Sequence, residues 1–155
     1  MMRADGHYVI TYLDALECVI GGEPTALALD VAGQVVEYDV SPLPLASDHV
    51  LGLGIHQGHL IVSLGIEPAP GPERRRTTAV LLDLPGAKEA WAVEVTRVVG
   101  FVRVHREDGS ETASGVGSVT TEDGRRIRWL DARQMFGALA TAGRHSAASV
   151  RGAPR

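Results

Sequence analysis

The residues best suited to chemistry cluster around the middle of the first half. His56-Gln57-Gly58-His59 is an H-x-x-H spacing, a pattern to test for metal binding. Gly58 argues against a helix there, no H-E-x-x-H is present, and only Asp48 and Glu67 lie near as carboxylates. Loop histidines at a binding surface are the stronger reading, and no metal is expected. Cys18 is the only cysteine, which rules out an internal disulfide or a thiolate zinc cluster and leaves a buried, inert thiol. Gly52-x-Gly54 followed by Gly58 lacks the βαβ context of a dinucleotide site. The single lysine, Lys88, follows a turn and belongs to no phosphate loop. Ser63, Ser110 and Ser114 have no nucleophile-elbow surroundings. No catalytic constellation and no cofactor site emerges. The remaining chemistry is electrostatic: Arg74-Arg75-Arg76 and Arg125-Arg126-x-Arg128 are the segments that would track a phosphate backbone. Stacking platforms are scarce, because the few aromatics lie mostly in apolar runs that pack in cores.

These residues need a scaffold, and the chain is long enough for one domain. It has 155 residues, 45% of them hydrophobic, sufficient to bury a core. No run of about 18 apolar residues occurs, and the first residues lack the apolar core of a signal peptide, so a cytoplasmic protein without membrane insertion is expected. Charge is unevenly placed: residues 1–73 hold ten acids against Arg3 alone, whereas 74–155 hold nine acids against fourteen basic residues, giving −9 and +5. Either the halves present complementary surfaces to neighbouring proteins, or folding intermingles them.

The local signals are mostly those of short strands. Tyr8 to Leu13 suits a strand or packing arm. Leu16–Ile20, Gly21-Gly22 and Thr25–Leu29 read as strand, turn, strand. Val35, Val36 and Tyr38 fit a third strand, with Gly33 as a kink or bulge. From Pro42 to Gly58, prolines and glycines suggest turns, and only Leu60–Leu64 reads as a strand. Glu67–Arg76 is a proline-rich surface loop. Thr77–Leu84, Trp91–Val95 and Arg97–Val104 follow as strands. Val116–Thr120 and Arg126–Leu130 form a hairpin about Asp123-Gly124. Asp131, with Gln134 placed for a capping box, precedes the stripe Ala132, Met135, Phe136 and Leu139, which predicts one helix ending near Gly143. Eight or nine strands and a late helix make an all-β, barrel-like domain. It is expected over 8–142, between a flexible 1–7 and a disordered basic tail at 143–155.

The order of these elements resembles CheW, the receptor-coupling adaptor of bacterial chemosensory arrays, across about Leu16 to Leu139. Leu16–Gly21 is similar to that family's opening strand, Leu27–Tyr38 to its second hairpin strand and Val-x-Glu element, and Pro44–Leu64 to its "N-x-R-G" and apolar-strand signature. Thr78–Leu84, Trp91–Val104 and Ile127–Leu139 fall in the family order, with Glu94 where Asp is usual. The resemblance implies two interlocked small β-barrels, SH3-like, with a C-terminal helix and no catalysis. It implies binding to the cytoplasmic tip of a methyl-accepting chemoreceptor, to the regulatory domain of the CheA histidine kinase, and to other CheW-like proteins. By position, Val35, Glu37, Gln57, Ala79 and Val80 would form the receptor groove, with Gly52 and Leu53 beside it.

Two departures bear on that function. Gln57 stands where the family commonly has Arg, and supplies neither charge nor a bidentate fork to Glu37. Gly65-Ile66-Glu67 stands for the usual D-L-R, exchanging a basic terminus for an acidic one. Changed charges at a docking face can exclude a partner as well as weaken one. The expectation is a divergent adaptor that keeps receptor binding and has altered or lost kinase binding. The alternatives are a β-barrel interaction module or a single-stranded nucleic-acid-binding protein outside chemotaxis.

Overall fold

A computed structural model describes residues 10–43, 49–66, 71–106, 115–137 and 139. The strands are β1 (Leu13–Ile20), β2 (Glu23–Ala28), β3 (Ala32–Val40), β4 (Val50–His56), β5 (His59–Leu64), β6 (Arg75–Leu82), β7 (Ala90–Val95), β8 (Arg97–Arg106), β9 (Val116–Thr121) and β10 (Arg126–Leu130). A short helix, α1, covers 132–137.

Local chemistry explains the hairpins. Gly21 and Gly22, at φ 59° and 79°, make the two-residue turn between β1 and β2, which pair antiparallel from Ile20–Glu23 to Ala15–Ala28. Gly124, at φ 91°, turns β9 into β10, and Thr121 N–H donates to Arg125 O at 2.7 Å. Asp131 caps α1 by accepting the Gln134 N–H at 3.0 Å. Its own N–H goes to Gly115 O at 2.8 Å, which ties the helix start to the approach to β9.

The strands form two layers. β1-β2-β10-β9-β8 closes into a barrel, with β10 parallel to β2. The second sheet has the order β3-β6-β7-β5-β4. Because β3 to β7 lie in sequence between β2 and β8, the chain leaves the barrel, builds the second sheet and returns, so the two units interlock. The second sheet curls until its edges meet at one bridge, Ser41–Leu53, with N–H···O distances of 2.8 and 3.0 Å. It is a barrel closed at a single point, less complete than the two barrels expected.

Three apolar clusters follow. Ala15, Ala26, Val104, Val119, Ile127 and Trp129 fill the closed barrel. Val36, Tyr38, Val40, Ile61, Ala79 and Ala92 line the inside of the curled sheet. Between them lies the largest, where Leu16, Leu27 and Leu130 of the barrel meet Leu64, Val80 and Val93 of the sheet, sealed by Met135 and Phe136 of α1. The apolar stripe predicted for the helix is thus the lid of the shared core.

Several expectations change. β1 begins at Leu13, and Ile10–Tyr12 are not strand; Tyr8 and Val9 lie outside the described residues, as do 1–7 and 143–155. Arg75 and Arg76 belong to β6, which shortens the proline-rich loop. β4 occupies residues read as turns. The charge asymmetry is spent internally, since acids of the first half pair with arginines of the second: Asp39 with Arg74, Glu17 with Arg125, Glu23 with Arg128 and Asp30 with Arg133.

Candidate functional site

The glycines of β4 do something other than turn the chain. A Cβ on Gly54 would fall 2.3 Å from Tyr38 Cδ2, and one on Gly52 would fall 2.4 Å from Ser41 O. Bare backbone at both positions lets β4 lie against β3, and the Ser41–Leu53 bridge depends on that approach. Leu53 and Ile55, alternating with these glycines, face the other way. The turn itself is Gln57-Gly58, at φ 50° and 78°, a two-residue turn of the mirror-image type I class. Among the described residues Gln57 is the non-glycine residue at positive φ, a conformation that costs an L-residue about 1–2 kcal/mol.

The result is a cleft of about 560 Å³ at the β3/β4 seam, lined by Glu37, Asp39, Leu53, Ile55, Gln57 and Leu60 among others. Ile55 and Leu60 are direct cross-strand partners, and 68% and 47% exposed. Val35, two residues before Glu37 on β3, is 43% exposed. Arg74 and Arg76 rim the cleft and pair with Asp39 and Glu37 at 3.3 to 3.7 Å. Such open pairs are worth less than about 1 kcal/mol each and exchange partners at little cost. Exposed aliphatic side chains inside a polar rim have the composition of a protein-docking patch.

The floor is rigid. Glu94 accepts from Arg75 in bidentate fashion, from Thr77 at 2.9 Å and from Ser63 at 2.6 Å. Ser63 Oγ and Tyr38 Oη lie 2.8 Å apart. Burial pushes the Tyr38 phenol up to about 12, with the Ser63 hydrogen bond working the other way, and the hydrogen bond that Arg75 donates to Glu94 raises its guanidinium.

The predicted residues divide accordingly. Glu37, Leu53 and Gln57 line the cleft, and Val35 shares the Glu37 face. Gly52 lies beneath as the contact with Ser41. Ala79 and Val80 are fully buried, in the sheet interior and the shared core, so they shape the groove without reaching its surface. Ile55, Leu60 and Asp39 escaped sequence reasoning, and Arg76 was singled out there for nucleic acid rather than for this cleft. The available signal was the alternation Gly52-Leu53-Gly54-Ile55, a strand with its small side turned inward.

Elsewhere, a cleft of about 820 Å³ at the barrel end, beside α1, contains none of the predicted residues. Of the basic segments proposed for nucleic acid, Arg125 donates to Glu17 at 2.8 and 3.1 Å and Arg128 to Ile20 O and Thr25, whereas Arg74 and Arg76 stay exposed at the cleft rim. Among the described residues no group of three or more His, Cys, Asp or Glu could hold a metal, and no helix is long and apolar enough to cross a membrane.

No family model matches the sequence, and no curated protein matches it. Among solved structures the chain is similar to the scaffolding protein TtCheW from Thermoanaerobacter tengcongensis, with a TM-score of 0.57 and 13% identity over 81% of this chain and 93% of that one. At that identity the likeness establishes the fold: this is a CheW-like all-β domain of two interlocked sheets with one short C-terminal helix.

Proposed function

We propose that this protein is a non-catalytic adaptor of a bacterial chemosensory array, a divergent CheW-like protein that binds chemoreceptor tips through the β3/β4 face and has altered or lost binding to the CheA regulatory domain. The observation that carries the reading is the exposed pair Ile55 and Leu60 beside Glu37, with the uncharged Gln57 at the hairpin tip. An apolar pair gives a receptor helix tip its contact area, and Glu37 fixes register. The missing guanidinium removes the bidentate contact that Arg would supply to a carboxylate. Arg125 and Arg128 are held by partners within the fold, which favours a protein partner over nucleic acid.

Binding to a receptor-tip fragment and to a kinase regulatory domain, measured side by side by pull-down or interferometry, tests the reading. Receptor binding with weak or no kinase binding is expected, and equal, tight kinase binding would sink it. Gln57→Arg should strengthen kinase binding by about tenfold, the worth of one charge-assisted contact. No gain there, with receptor binding untouched, would show that Gln57 is not the point of divergence.

A further inference from the structure

The hairpin carries a second feature that the docking reading leaves unused. Gly54 and Ile61 are paired across β4 and β5 on the inner side of the sheet, and two residues further along on that side His56 is paired with His59. Directly opposed residues of an antiparallel pair present their side chains on the same face, with Cβ atoms about 4.5–5.5 Å apart. Tetrahedral ligand nitrogens at about 2.0–2.1 Å from zinc are roughly 3.3 Å apart, a gap that two imidazoles on such Cβ atoms can span. His56 is half-buried and His59 exposed, and among the described residues neither ring has a hydrogen-bond or ion-pair partner. The tight Gln57-Gly58 turn holds the two strands in register, so the pair is organised before any ion arrives. The sequence spacing that looks wrong for a helical metal motif is the right one for a hairpin.

We propose that His56 and His59 form a bidentate surface site for a divalent transition cation of the imidazole-binding class, zinc, copper or nickel, with the remaining coordination positions taken by water. Two neutral nitrogens select these ions over magnesium and calcium, which require oxygen ligands. With no third protein ligand among the described residues, the site is open and exchangeable rather than structural. It stands apart from the adaptor reading, because it concerns the isolated chain.

The test is titration of the untagged full-length protein with Zn²⁺ by calorimetry, alongside Cu²⁺ followed by electron paramagnetic resonance. One ion per chain is expected, with a copper signal split by two imidazole nitrogens. His56→Gln and His59→Gln should each weaken binding by at least about tenfold, since even loss of a supporting contact to a ligand costs that much. The double variant should be no weaker than either single, because each single already destroys the chelate. His105→Gln should bind like the parent. Single variants that bind as the parent does, losses that merely add, or a loss on changing His105 would each overturn the site. The substituted residues flank an open turn, and an unchanged thermal transition shows that each variant is folded.

Discussion

Glu94 holds four hydrogen bonds with its two carboxylate oxygens, and each partner comes from a different position on β5 or β6. Glu94→Gln keeps the size but leaves the Arg75 guanidinium without its counter-charge. Removal of one member of a buried pair costs about 3–5 kcal/mol, and the side chains here are 24% and 11% exposed, so about 3 kcal/mol is expected from urea unfolding. A loss within 1 kcal/mol would mean that water already screens the pair. Cys18 is the opposite kind of residue, fully buried among apolar side chains. Burial, with Glu17 adding to it, pushes its thiol up to about 11, so the nucleophilic thiolate is scarce at neutral pH. Folded protein should resist a thiol reagent at pH 8 and react fully in denaturant.

At the scale of elements, the β4–β5 hairpin decides the site. Its turn is strained at one residue, Gln57, whose φ of 50° suits Gly or Asn better than any long side chain. Gln57→Asn should therefore stabilise the fold by about 0.5–1 kcal/mol, raising the thermal midpoint by about 1–4 °C. A falling midpoint would show that the Gln57 side chain contributes more than its backbone costs. The seam beside the hairpin follows from the same economy of side chains. With glycine at 52 and 54, β4 packs on Tyr38 and Ser41 and leaves its large residues outward, where a partner can reach them.

The whole molecule is held by the cluster between the layers. Leu16, Leu27 and Leu130 on one side and Leu64, Val80 and Val93 on the other bury a surface that neither unit covers alone, and Phe136 closes it. Barrel and sheet should then unfold together. The two tryptophans report on the two units, Trp91 on β7 and Trp129 inside the barrel, and among the described residues neither indole N–H has a hydrogen-bond partner to lose on replacement by Phe. Trp91→Phe and Trp129→Phe, each leaving one emitter, should show single urea transitions of the same cooperativity. A biphasic transition in either variant, or an emission change that does not coincide with the loss of circular dichroism, would show that the layers are separable.

The sequence by itself determined most strands and the helix stripe, because period-2 runs, Gly-Gly and Asp-Gly turns and an Asp cap are local instructions with local physical causes, while the interlocked order was implied only by the resemblance to CheW. Leu16–Ile20, Trp91–Val95 and the Ala132, Met135, Phe136 stripe were legible for that reason. β4 was not. Gly52 and Gly54 have the same local freedom in a turn as in a strand, and what selects the strand is the Tyr38 ring and the Ser41 carbonyl, which arrive from a distant part of the chain. The charge asymmetry carried the same ambiguity, since only folding reveals that Glu17 meets Arg125 and Asp39 meets Arg74. Likewise Gln57 could be singled out in the sequence, while the company it keeps, Ile55 and Leu60 outward and His56 and His59 paired, was decided by tertiary register alone. Cross-strand pairing sets which side chains share a face, and no local residue pattern specifies the partner strand.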